Sequence, residues 1–210
     1  EIYTLSLHDA LPIFGAPASE RVPLQIAQGV NEVWRMDFVS DSLANGRRIK
    51  CLTVADDFSH ECVDIGVDYG ILGQYVTRLL DRAPVFRGYR SAVRTDNGQE
   101  FTSRAFMAWA QGHGIRHILI EPGRPMQNGY IESFNGKSRD ECLNEHWFET
   151  LPQARAAIAA WRQDYNEVRP YSSCWRMPPA RFAASHRQHD AAATLSTKES
   201  FNITTGFPPD

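Results

Sequence analysis

The apolar patterning of this chain predicts an α/β fold, a mixed five-stranded sheet flanked by helices. Three observations predict it. Three consecutive stretches with strand-like alternation open the pattern, joined by short turns. Two further short strand-like stretches then alternate with segments of helical spacing. A length of 210 residues with 42% hydrophobic content suffices for one well-buried domain and not for two.

The elements follow in order. In Val33 to Val39, Trp34, Met36 and Phe38 fall on one face and Val33, Arg35 and Asp37 on the other, which is a strand pattern that turns Asp37 away from the large apolar face. Asn45-Gly46 is a hairpin signal, and Ile49 to Asp56 makes the second strand. After a turn near Ser59, Val63, Ile65 and Val67 line one side of a third. From Ile71 to Arg82 the positions Leu72, Tyr75, Val76, Leu79 and Leu80 recur at helical spacing. Ala92 to Thr95 returns as a short strand that ends in the turn Asp96-Asn97-Gly98. Thr102 or Ser103 caps a helix that buries Phe106, Met107 and Ala110. Ile115 to Ile120 is the fifth strand, stopped by Glu121-Pro122-Gly123. Two helices come next, over 126–144 and 152–166, the second with Ile158, Trp161 and Tyr165 in one stripe. A short basic helix follows Pro178-Pro179, and 188–210 reads as an unstructured tail. The order βββαβαβαα matches a ribonuclease H-like fold.

Other features bound the function. Residues 1–13, EIYTLSLHDALPI, resemble the translation of a common sequencing adapter, so they are set apart from fold reasoning and the natural protein is expected to extend further upstream. Residues 14–30 read as a linker, leaving 31–187 as the core. A formal charge of −3 provides no global attraction to nucleic acid, so DNA contacts must come from local basic groups around an acidic site. Cys51, Cys62, Cys142 and Cys174 form no CxxC pair, which argues against structural zinc and fits reduced thiols in the cytoplasm. No apolar run approaches the roughly 20 residues of a membrane span.

Three carboxylates concentrate the chemistry. Asp37 lies in VWRMDFVSD, Asp96 in VRTDNGQEFTS and Glu132 in RPMQNGYIESFNGK, the last two separated by 35 residues. A lone Asp in a strand or Glu in a helix is ordinarily a solvated surface group; the joint contexts, at a strand, a strand end and a helix, point instead to divalent-cation binding. Phosphodiester chemistry without a covalent intermediate uses two divalent cations about 3.5–4 Å apart, and Mg²⁺ tolerates incomplete protein coordination by a few carboxylates. At 100° per residue, Asn128, Glu132, Asn135, Gly136 and Arg139 share one polar, open side of their helix, opposite Ile131, Phe134 and Cys142. Arg139 reaches a phosphate from there, and Gly136 admits a nucleic-acid backbone. Asp56 and Asp57 are rival ligands whose setting also fits an ordinary strand exit, while His113 and His117 read as core or surface groups.

The strings MDFVSD, TDNGQEF, PMQNGYIESFNGK, RDECLNEHWF, WRQDYNEVRPYSS and PPARFA resemble the integrase-type catalytic core of bacterial insertion-sequence transposases, in the family named after insertion sequence three. The resemblance runs from about Asn31 to Gln188. It implies Asp37, Asp96 and Glu132 as the catalytic and metal-binding triad, two Mg²⁺ ions with Mn²⁺ as a substitute, and Arg139 as the basic residue seven positions beyond Glu132. Lys137, Asn97, Asn128 and Asn135 join Arg139 as candidate DNA contacts. Implied too are cleavage and strand transfer at element ends and target DNA, a homo-oligomer on DNA, and a bacterial cytoplasmic location, nucleoid-associated when DNA-bound. The alternatives are a hydrolytic nuclease of the same fold and an inactive DNA-associating remnant. Departures from the family pattern fall at Tyr171, commonly His; at Cys174-Trp175, commonly a hydrophobic residue and Gly; and at Ser138. The family's N-terminal helix-turn-helix segments are absent from these 210 residues.

Overall fold

The computed structural model describes residues 26–82, 92–120 and 129–187; the expectations for 1–13, for Asn128 and for the 188–210 tail lie outside them. Strands β1 (Val33–Ser42), β2 (Arg48–Asp56) and β3 (Cys62–Asp68) form an antiparallel meander. Gly46 supplies the positive φ of +79° in the first hairpin. Strand β4 (Ala92–Thr95) joins the other side of β1 in parallel, and β5 (Arg116–Leu119) adds parallel to β4. The sheet order is therefore β3-β2-β1-β4-β5, the mixed five-stranded arrangement expected.

Helices cover both faces because β1 and β2 are apolar on both. Trp34, Met36, Leu52, Val54 and Val93 pack against Val76, Leu79 and Leu80 of α1 (Gly73–Arg82) and Phe106, Trp109 and Ala110 of α2 (Arg104–Gly112). On the opposite face Val39, Cys51, Ala55, Cys62 and Val67 meet Ile131 and Phe134 of α3 (Gly129–Ser138) and Ala154, Ile158, Trp161 and Tyr165 of α4 (Leu151–Glu167). The face that holds Asp37 is thus a second core. A last helix, α5, covers 179–187. No helix among the described residues is long and apolar enough to cross a membrane.

Local chemistry explains the boundaries. Ser103 accepts from the Phe106 N–H at 3.2 Å and starts α2; Thr150 accepts from the Gln153 N–H at 3.3 Å and starts α4. The long helix expected through residue 144 changes pitch: after Ser138, Arg139–Leu143 is π-helical, which lets both Cys142 and Leu143 reach the core. Two expectations of burial fail. Met107 is 47% exposed because Phe106, its neighbour in sequence, takes the inward position on α2, and Leu72 is 75% exposed because it precedes α1. Ala27 and Val30, at the end of the expected linker, are buried, Ala27 against Val33 and Ala92, so the packed unit starts before Asn31.

The exposed edge of β3 is closed by α4. Asn166 donates to the Cys62 carbonyl and accepts from the Cys62 N–H, both at 2.8 Å, as a neighbouring strand would. Arg162 and Arg155 donate to the Val63 and Val67 carbonyls at 2.8 and 2.9 Å. Side chains therefore satisfy backbone groups that a bare edge offers to another chain.

Candidate active site

The register of the sheet sets the first two carboxylates side by side. Arg35 pairs with Arg94 across the parallel β1–β4 ladder. Two residues further along each chain lie Asp37 and Asp96, the former within β1 and the latter just past the end of β4. Asp37 is half-buried, and its carboxylate is held at both oxygens: Oδ1 accepts from the Phe38 N–H at 2.8 Å and Oδ2 from the Asn135 amide at 2.9 Å. Asp96 is exposed at the tip of a tight turn, where Oδ1 accepts from the Gly98 N–H at 2.9 Å. A Cβ on Gly98 would lie 3.0 Å from that oxygen, so a side chain there would crowd the carboxylate.

Glu132 stands exposed in the first turn of α3 and has no hydrogen-bond or ion-pair partner among the described residues. Helix α3 crosses β1 with Ile131 and Phe134 buried, which turns Glu132 toward a shallow cleft it shares with Asp37, Ser40, Asn135, Gly136 and Arg139. The electrostatics tie the three together. Burial pushes the Asp37 carboxyl above its ordinary value, and the nearby charges of Asp96 and Glu132 push in the same direction, against the two hydrogen bonds. Among the described residues no three His, Cys, Asp or Glu side chains are drawn together as a ready coordination sphere. Asp37 thus feels two further acidic charges, and no Lys or Arg of the described residues is paired with Asp37, Asp96 or Glu132; carboxylate oxygens are the hard donors that Mg²⁺ or Mn²⁺ takes.

The other candidates separate. Arg139 lines the cleft and donates to the Ser40 carbonyl at 3.0 Å, pairing with neither Glu132 nor Glu141 among the described residues. Gly136 also lines it, with nothing within 4 Å of a Cβ there. Asn135, expected on the open side with Glu132, is only 9% exposed: its amide nitrogen donates to Asp37 and its oxygen lies 2.9 Å from the Thr53 hydroxyl. The reason is α3's tilt onto the sheet, which brings Asn135 over Thr53, the cross-strand partner of Asp37. Lys137 is half-buried, its Nζ 4.2 Å from the centre of the Tyr171 ring and outside the cleft. Asn97 is exposed and reaches the Ile120 carbonyl at 3.4 Å.

The rival acids are structural. Asp56 is fully buried and accepts from the Asn31 N–H, the Ser59 N–H and the Ser59 hydroxyl. Asp57 bridges Arg35 and Arg94. His117 bonds Thr95 at 2.8 Å, and His113 bonds the Trp109 carbonyl at 2.9 Å. Sequence reasoning missed the part of Thr53; its signal was only its place in the second strand, with no partner in sequence to mark it.

The mixed sheet with helices on both faces is a ribonuclease H-like fold, with acids on β1, after β4 and on α3. Two integrase core domain families match this chain, one over residues 27–125 and one over 113–179, and the chain belongs to the integrase core domain proteins. It is 67% identical over 175 residues to the insertion element IS476 uncharacterized 39.2 kDa protein of Xanthomonas euvesicatoria, covering 83% of this chain and 51% of that protein. It is 64% identical over 168 residues to the insertion element IS407 uncharacterized 31.7 kDa protein of Burkholderia multivorans, covering 80% and 61%. This chain thus spans about half to three-fifths of those relatives. The fold is shared with the HTLV-2 integrase catalytic core domain in complex with magnesium in its trimeric form, at a TM-score of 0.60 and 16% identity over 75% of this chain and 99% of that one.

Proposed function

We propose that the chain is the catalytic core of an insertion-sequence transposase, which cleaves DNA strands at element ends and transfers a 3′-hydroxyl to a target phosphodiester. The single observation that carries this reading is the placing of Asp37, next to Asp96 by the β1–β4 register and in one cleft with Glu132. Supporting it are the relatives named for insertion elements and a relative at 24% identity called a putative transposase for IS150 in Escherichia coli. The narrower membership in the family named after insertion sequence three rests on the motifs quoted above.

Asp37, Asp96 and Glu132 would hold the divalent cations. Ions held there would supply activation of the attacking water or 3′-hydroxyl and stabilisation of the leaving oxygen. The chain's own residues do the rest. The Phe38 N–H and the Asn135 amide fix the orientation of the Asp37 carboxylate, so that it does not have to be ordered during the reaction. Thr53 in turn sits under the Asn135 amide, its hydroxyl 2.9 Å from the Asn135 oxygen and 3.1 Å from the Asp37 carbonyl, with the Asn135 nitrogen turned to Asp37. Arg139, anchored to Ser40 at the cleft rim, contacts a backbone phosphate, and Gly136 leaves room for it.

The DNA substrate, the homo-oligomer on it and the nucleoid-associated location in a bacterial cytoplasm belong to the same proposal. Its test is an assay with pre-nicked end DNA, target DNA and Mg²⁺ or Mn²⁺. Joined products that require a 3′-hydroxyl on the donor are expected. Shortened fragments alone, with no joining, would make the chain a hydrolytic nuclease, and no metal-dependent product at all would make it an inactive remnant.

A further inference from the structure

The Asp37 carboxylate is held from the α3 side of the sheet; the turn that presents Asp96 is held from the other side, by residues the account above leaves unused. Lys50, on β2 opposite Ser40, forms an ion pair with Glu100, and both side chains are partly buried. The same Nζ lies 4.1 Å from the centre of the Phe38 ring, next in sequence to Asp37. Phe38 in turn stacks on the fully buried Phe101, with centroids 5.1 Å apart and planes inclined by 27°.

Glu100 and Phe101 belong to the same turn as Asp96. The N–H groups of Phe101 and Thr102 both donate to the Gly98 carbonyl at 3.0 Å, while the Gly98 N–H donates to Asp96. A Cβ on Gly98 would lie 3.0 Å from Asp96 Oδ1 and 3.2 Å from Glu100 Oε2, so the two carboxylates flank one glycine. Glu100 is therefore a fourth acid beside the cluster, and Lys50 is the cation that takes it up. Without that pair the Glu100 charge would be free beside Asp96, and the turn would lose a tie to β2.

We infer that Lys50 and Glu100 are positioning residues for Asp96: their ion pair draws the Glu100 carboxylate away from the triad and clamps the 96–101 turn to β1 and β2. The inference rests on the reading of the triad as a divalent-cation site. It follows that the pair sets the cation affinity of the site without touching a cation or DNA itself.

The test is a Mn²⁺ titration of thermal stability with the whole chain, comparing the parent with Lys50→Met, Lys50→Arg and the exchanged pair Lys50→Glu with Glu100→Lys. Lys50→Met is expected to raise the Mn²⁺ concentration at half-maximal stabilisation about tenfold, the lower end for a residue that orients a ligand. Lys50→Arg and the exchanged pair are expected to return it toward the parent value, which a loss of general stability would not do. A midpoint unchanged in Lys50→Met, or an exchanged pair no better than Lys50→Met, overturns the inference while the parent's own response preserves the triad. A parent that Mn²⁺ does not stabilise overturns both. DNA binding across salt separates the remaining role: a salt slope reduced by about one unit in Lys50→Met, with the Mn²⁺ midpoint unmoved, makes Lys50 a phosphate contact instead.

Discussion

Burial and like charge together decide the behaviour of Asp37. A carboxyl whose folded pKa lies above its unfolded value contributes stability that is complete below the unfolded value and is lost as the pH rises through the folded one. Asp37 and Asp56 are both of this kind. In the absence of divalent cations, the melting temperature of Asp37→Asn should therefore gain on the parent as the pH climbs from about 4, the ordinary carboxylate range; a difference that stays flat with pH contradicts the shift. Protons and cations compete for the same oxygens, so the parent's cation affinity should fall as the pH drops through that window. Asn135→Ala should cost about 1–3 kcal/mol, because it removes the amide that the half-buried Asp37 carboxylate accepts from, and chemical denaturation measures it. Trp175 offers the opposite case. It sits at φ 54°, where the family pattern has glycine, and its side chain is 82% exposed. Trp175→Gly should raise stability by up to about 1 kcal/mol, the left-handed strain outweighing glycine's entropy; a lowered melting temperature would show that the indole does more than its exposure indicates. The acids and their turns were legible in the sequence because strand alternation and turn chemistry are local. Asn135 was misjudged because a helical wheel says which residues share a side and nothing about how the helix tilts against the sheet.

At the scale of elements, periodicity located the five strands and helices α1 to α4, with errors at their boundaries, and gave no sign of the 3-10 turn at Ser172–Cys174. The π-helical turn at Arg139–Leu143 had no local signal; it follows from the packing of Cys142 and Leu143 into a core formed by distant strands. The capped β3 edge was invisible for the same reason, since Asn166 and Cys62 lie 104 residues apart. Asn166→Ala should be among the more damaging single changes, about 2–5 kcal/mol, because it strands one buried N–H and one buried carbonyl and opens the edge; concentration-dependent aggregation on refolding is the accompanying sign. Gly136 tests the open side of α3. Alanine there meets nothing among the described residues, so Gly136→Ala should raise stability by about 0.5–1 kcal/mol through helix propensity. If DNA lies against that side as proposed, affinity should fall at the same time. Unchanged DNA affinity would place the backbone elsewhere.

For the whole molecule, a net charge of −3 leaves DNA attraction to a few local groups, with Arg139 in the cleft that Asp37 and Glu132 line. Binding by these 210 residues should accordingly be weak and show a shallow salt dependence, about one unit of which disappears in Arg139→Ala. Recognition of a particular terminal sequence calls for base-edge contacts, which phosphate contacts do not supply. The fold and the site are coupled in a simple way: the parallel β1–β4 register sets Asp37 beside Asp96, and the packing of α3 on the second core puts Glu132 in one cleft with Asp37. The most direct measurement is calorimetric titration of Mn²⁺ into the parent and into Asp37→Asn, Asp96→Asn and Glu132→Gln, each of which removes one charged oxygen and almost no volume. Saturable binding in the parent that is lost or greatly weakened in all three variants, with folding intact, is the expected result. Binding that survives undiminished in any one of them would show that its carboxylate does not belong to a common cation site.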